Sequence, residues 1–96
     1  MTTATTVERI REPMVLCAFL GSTGYHSASW RRPGADPRAN IKPGYFTELA
    51  RTAERGGLDA VFLADSMAIW SDVSDRPAGA IEPAVLAGAI LQATER

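Results

Sequence analysis

Lys42–Asp65, KPGYFTELARTAERGGLDAVFLAD, encodes in one stretch a helix, its stop, a buried strand and an acid at the strand's carboxyl end. Phe46, Leu49, Ala50 and Ala53 fall at i, i+3, i+4 and i+7, the apolar stripe of an amphipathic helix. Gly56-Gly57 supplies the left-handed turn that a helix C-terminus favours, so the spacing predicts a helix over 44–55. Ala60-Val61-Phe62-Leu63-Ala64 then reads as a strand over 59–64, apolar on both faces as a parallel strand covered on each side would be. It closes on Asp65, at the end of a parallel strand where α/β folds place their ligands.

Outward from this unit the alternation continues. Met14–Leu20 is an apolar run after Pro13 and predicts a first strand over 14–20. Glu82-Pro83 opens a second helix over 83–95, with Pro suited to the first helical position and Leu86, Ala87, Ile90, Leu91 and Thr94 as its stripe. The order β-α-β-α demands parallel strands. Residues 1–13, polar and threonine-rich at the start, read as a flexible N-terminal segment, and 14–96 as a partial domain.

Composition narrows the functional classes. The 96 residues allow one domain at most, and 46% hydrophobic with 22% charged residues is ordinary for a globular chain. A net charge of −1 offers no basic field for a phosphate backbone, so no nucleic-acid partner is expected. No apolar run approaches the ~20 residues that span a bilayer. The first twelve residues lack the core of a signal peptide, and a cytoplasmic address is the expectation. Cys17 is the only cysteine, which leaves neither a disulfide nor a metal cluster and reads as a small packed hydrophobe.

A two-stranded parallel sheet has a physical difficulty. Right-handed crossovers place both helices on one face and leave the other bare. Whether Val15, Phe19, Val61 and Leu63 or the alternate set with Leu16, Leu20 and Phe62 stayed in water, roughly 1.5–3 kcal/mol per large side chain would be forgone. Four such residues amount to about 6–12 kcal/mol, against a typical domain stability of ~5–15 kcal/mol. The pattern is that of part of a larger unit, completed either by further chain beyond Arg96 or by another polypeptide.

Residues 21–43 form a long connection broken by Gly21, Gly24, Pro33-Gly34, Pro37 and Pro43-Gly44, and long βα loops are where sites are built. It carries His26-x3-Trp30-Arg31-x-Pro33. An imidazole there can donate or accept a proton, although a lone loop histidine is usually only solvated. Trp30 and Arg31 read as scaffold, pinning the loop through an aromatic body and a stacked guanidinium. Asp65 either accepts bonds from a ligand or caps the turn that follows it.

Taken in order, the His26–Pro33 pattern, the YFTELARTAERGGLDAVFLAD phrase and Glu82-Pro83 resemble the amino-terminal part of the flavin-dependent monooxygenases of the bacterial-luciferase-like superfamily. The resemblance is strongest to the branch of nitrilotriacetate, dibenzothiophene-sulfone and long-chain-alkane monooxygenases. It covers about residues 15–96 and implies the first two βα units of a TIM (β/α)8 barrel, incomplete in this chain. It further implies reduced FMN delivered by a separate flavin reductase, with O2 and a small organic substrate as co-reactants and a homo-oligomer at full length. By motif position Asp65 would contact the flavin, His26 would be catalytic, and Trp70 would lie over the substrate pocket where relatives often carry tyrosine. The alternative is a non-enzymatic remnant that pairs with another chain through its open edges. A stand-alone ligand-binding module is weaker, since the sequence holds neither GxGxxG nor GxxxxGK[ST].

Overall fold

Pro43 begins the first helix because its missing N–H is one a helix start leaves unpaired and its fixed φ is already helical. In the computed structural model, which describes residues 13–67 and 79–96, α1 runs Pro43–Arg55. The end of α1 is a complete Schellman turn. Gly57 takes φ +76°, its N–H bonds to the Glu54 carbonyl at 3.0 Å, and the Leu58 N–H reaches back to Ala53 O at 3.1 Å. Gly56 itself stays right-handed at φ −75°, so the left-handed residue of the pair is Gly57.

The strands are β1, Cys17–Phe19, and β2, Ala60–Phe62, paired in parallel with Cys17 opposite Ala60, Ala18 opposite Val61 and Phe19 opposite Phe62. Both are shorter than the apolar runs of 14–20 and 59–64. Among the described residues each strand has one neighbour, and Leu20 N–H to Phe62 O at 3.0 Å and Asp59 N–H to Leu16 O at 2.9 Å mark the limits of the pairing. The Asp59 carboxylate accepts the Leu16 N–H at 2.8 Å and finishes the amino end of the pair.

The second helix, α2, spans Pro83–Ala93, with Glu82 as N-cap accepting from the Val85 N–H at 3.0 Å. It stops two residues short of the expected 95, and α1 supplies the reason. Arg51 Nε donates to the Ala93 carbonyl at 3.1 Å, while Glu54 Oε1 accepts the N–H groups of Glu95 and Arg96, each at 2.9 Å. A cation on the last carbonyls complements the helix dipole.

Leu20, Phe46, Ala50, Leu86 and Ile90 form the core, with Ala18, Val61 and Leu63 packed against it. Both helices therefore cover one face of the sheet. The register decides which residues face the other way: Cys17 and Phe19 with Ala60 and Phe62. Phe19 is 48% exposed and Phe62 52%, their rings edge to face at 4.9 Å. The register splits both of the sets left open by the sequence, placing Val61 and Leu63 with Leu20 on the covered face and Phe19 with Phe62 on the open one. It also corrects the reading of Cys17 as packed, since parity sets it opposite the helices and it is exposed.

The long connection after β1 is organised by local bonds. Two 3-10 turns, Ser29–Arg31 and Ala39–Ile41, punctuate it. Asp36 accepts the Arg38 N–H at 2.9 Å and pairs with Lys42, Ala39 is fully buried, and Asn40 Nδ2 donates to Gly79 O at 2.6 Å to tie the loop to the approach of α2. The reading of residues 1–13 as flexible falls, but for Pro13, outside the described residues.

Covering the exposed half of each ring of the Phe19–Phe62 pair is worth roughly 1 kcal/mol. The 96-residue chain alone is expected to elute in gel filtration above its 10.3 kDa monomer, with Phe62→Ser moving it toward the monomer; a monomeric parent would contradict this. Asp36 gives an acid limb. The hydrogen bond from Lys42, then the Arg38 backbone amide, hold its carboxyl below the ordinary 3.8. A lowered folded value means its stabilisation is present above pH 3.8 and lost as pH falls through the lower value. Hydrogen exchange at the Arg38 amide should accelerate over that acid window in the parent, and Asp36→Asn should abolish the window.

Candidate functional site

Parallel strands deliver their connections to one end, so the segments leaving the carboxyl ends of β1 and β2 share one edge of the sheet. His26 stands in the first of these segments and Asp65 in the second. Both are exposed. Trp70, the third candidate, lies outside the described residues.

His26 is fixed from both sides of its Cα. Its carbonyl accepts the Ser29 N–H at 3.0 Å and the Ser29 hydroxyl at 2.6 Å. Its Nδ1 accepts the Ala28 N–H at 3.1 Å, so in the neutral ring the proton sits on Nε2, which is left as an outward donor. Further along the loop, the Arg31 guanidinium lies over the ring of its neighbour Trp30, 4.8 Å from the centroid.

Asp65 follows β2 by three positions and its Oδ1 accepts the Ser66 N–H at 2.7 Å. That bond is a turn-capping contact, and it occupies one oxygen. A carboxylate has two oxygens and about four acceptor directions, so the capped Asp65 keeps capacity for a ligand donor.

Three contributors do not stand out in the sequence. Tyr25 places its ring 5.0 Å from that of Phe19 and extends the aromatic surface of the open face. Its hydroxyl donates to the Phe19 carbonyl at 2.8 Å, and desolvation raises its pKa above the usual 10.0. Ser22 and Asn40 supply polar groups to a cavity of about 220 Å³ on the helix side of the sheet, whose apolar walls include Leu20, Phe46, Leu63 and Leu86. An aromatic beside a loop histidine is a readable signal for Tyr25. Asn40 offers none, since its bond to Gly79 spans 39 residues.

The cavity falls under the ~300–1,000 Å³ of ordinary small-molecule sites. On the open face Phe19, Phe62 and Tyr25 present aromatic area. Stacking with a flat ring, donation from His26 and acceptance by Asp65 are the chemistry these side chains offer at that end. Among the described residues no three or more His, Cys, Asp or Glu side chains gather as a metal cluster, and no helix is long and apolar enough to cross a membrane.

The model of a family described as luciferase-like monooxygenase matches residues 14–96. The chain is 44% identical over 86 residues to the N-acetyl-S-(2-succino)cysteine monooxygenase of Bacillus subtilis (strain 168), covering 90% of this chain and 20% of that protein. It is 39% identical over 85 residues to nitrilotriacetate monooxygenase component A of Aminobacter aminovorans, covering 76% and 19% respectively. To one subunit of the pristinamycin IIA synthase of Streptomyces pristinaespiralis it is 38% identical over 60 residues, covering 62% and 14%. The chain spans at most about a fifth of the length of these curated relatives. With parallel βα units and a family match across the whole apolar pattern, the chain belongs to the luciferase-like monooxygenases.

Proposed function

We propose that the chain forms the first two βα units of a TIM-barrel monooxygenase that uses reduced FMN and O2 on a small organic substrate. The observation that carries this reading is the family match over residues 14–96 with Asp65 at the carboxyl end of β2. A barrel has eight such units and its site opens at the carboxyl ends of the strands. The open sheet face becomes the inner wall of that barrel, which accounts for aromatic side chains that the two helices leave uncovered.

The residues present fit a flavin. Phe19, Phe62 and Tyr25 offer an aromatic wall, and Asp65 keeps an acceptor for an N–H or ribityl hydroxyl donor after its bond to Ser66. Bound reduced flavin supplies the activation of O2. The chain's own part is to hold the ring with Asp65, keep water from the aromatic wall, and present the Nε2 proton of His26 to substrate or oxygen at the mouth. Trp70 is proposed as a further wall of the substrate pocket, where an indole stacks without donating a phenolic proton.

The relatives from Aminobacter and Streptomyces are named as parts of multi-part systems, one a component and the other a subunit, which supports a separate flavin reductase as partner. A homo-oligomer and a cytoplasmic address complete the proposal. A second reading, favoured by the exposed Phe19–Phe62 pair, is an association module without chemistry that pairs with another polypeptide.

Asp65→Asn in the intact protein is expected to weaken reduced-FMN binding roughly 10- to 100-fold, the worth of a hydrogen bond to a charged group. Anaerobic titration followed by flavin fluorescence measures it. An unchanged Kd would leave Asp65 as a turn cap only. The 96 residues alone, supplied with reduced FMN and O2, are expected to give no oxygenated product, and turnover by them would overturn the partial-barrel reading.

A further inference from the structure

We infer that Asn40 is a positioning residue of the flavin site, a clasp that holds the return of the second βα connection against the first and closes the gap between them to solvent. The inference rests on the proposed flavin site and deepens it.

The two connections leave neighbouring parallel strands at the same end, so they stand side by side around a ligand held there. Asn40 lies at the end of the first connection and Gly79 in the return of the second. The Asn40 Nδ2 donates to the Gly79 carbonyl at 2.6 Å, across 39 positions of chain. A carbonyl only accepts, so the carboxamide must present its nitrogen there.

Each partner is fixed apart from the bond they share. Asn40 sits in the 3-10 turn Ala39–Ile41, whose Ala39 is fully buried. Asp36 accepts the Ala39 N–H on its carbonyl at 3.0 Å and the Arg38 N–H on its carboxylate at 2.9 Å. The turn closes with Lys42 N–H to Ala39 O at 3.2 Å, at the residue before α1. On the other side Gly79 takes φ +78°, which glycine adopts without steric cost. Two residues on, Ile81 packs against the core, and Pro83 opens α2.

The bond runs along the wall of the cavity of about 220 Å³. Ser22 and Asn40 line that cavity from the first connection, Gly79 and Ala80 from the second, and Ala64 from the chain just past β2. Ala64 is the neighbour of Asp65, so the cavity abuts the proposed flavin contact. Parting the two connections here opens a side passage toward Asp65. The clasp governs access to the site and not the contact itself, since the Ser66 N–H holds the Asp65 carboxylate separately.

The test uses the intact protein with Asn40→Ala and, independently, Gly79→Ala, which strains the backbone of the acceptor without deleting the donor. In 15N-asparagine-labelled protein the Asn40 carboxamide is assigned by its loss in Asn40→Ala. One of its protons is expected to exchange slowly with solvent in the parent and faster in Gly79→Ala. Iodide quenching of the fluorescence of bound reduced FMN, under anaerobic conditions, reports access to the site. Quenching should rise about two- to tenfold in both variants, the population shift that one neutral hydrogen bond is worth, with Kd for reduced FMN unchanged. Unaltered quenching in both variants, or a weakened Kd in both, overturns the inference and leaves the flavin reading standing. A parent that binds no reduced FMN overturns the flavin reading and the positioning role with it, so the two failures are distinguishable.

Discussion

The parallel pairing of Phe19 with Phe62 is the constraint on which the rest of the molecule depends. Parallel strands cannot be joined by a tight turn, so the chain must leave the carboxyl end of β1, cross a face of the sheet and return. α1 makes that crossing, and α2 packs beside it on the same face, with Phe46, Ala50, Leu86 and Ile90 meeting Leu20 in one core. The same pairing leaves Phe19 and Phe62 about half exposed on the other face. Core and open aromatic wall are two results of one register.

The helices also control each other's ends. α1 stops by its own Schellman turn, a local device that needs only Gly57 in a left-handed conformation. α2 ends where Arg51 and Glu54 of α1 take up its last carbonyl and the following N–H groups. The pair is stapled at one end by polar bonds and along its length by apolar contact. At the opposite end, Asn40 joins the first loop to Gly79, so the long connection is held against the approach to α2. A loop of this length is tolerated because its backbone groups find partners inside it, through Asp36, the two 3-10 turns and the turn at His26–Ser29.

Much of this is readable from local signals. The stripe of Phe46, Leu49, Ala50 and Ala53 and the Glu82-Pro83 start depend on neighbours within a turn or two, and helices run over both, Pro43–Arg55 and Pro83–Ala93. His26 and Asp65 are readable as candidates because polar residues just beyond parallel strands have a known place in such folds. Tyr25 is marked only by standing beside His26, and Asn40 by nothing. Their roles come from bonds to a strand edge and to a segment far along the chain, and no periodicity encodes those.

The sequence by itself determined the order of strands and helices, their parallel sense, the covered face of α1 and the family to which the chain belongs, since each depends on short-range pattern or ordered motifs. Which face of each strand meets the helices was decided only in the tertiary structure. Both strands are apolar at nearly every position, so alternation carries no sign, and a shift by one residue would exchange every side chain between core and open face. The register between the two strands sent Leu20, Val61 and Leu63 to the helices and Cys17, Phe19 and Phe62 to the open face. It also turned the Phe19 carbonyl outward, to the place where the Tyr25 hydroxyl meets it.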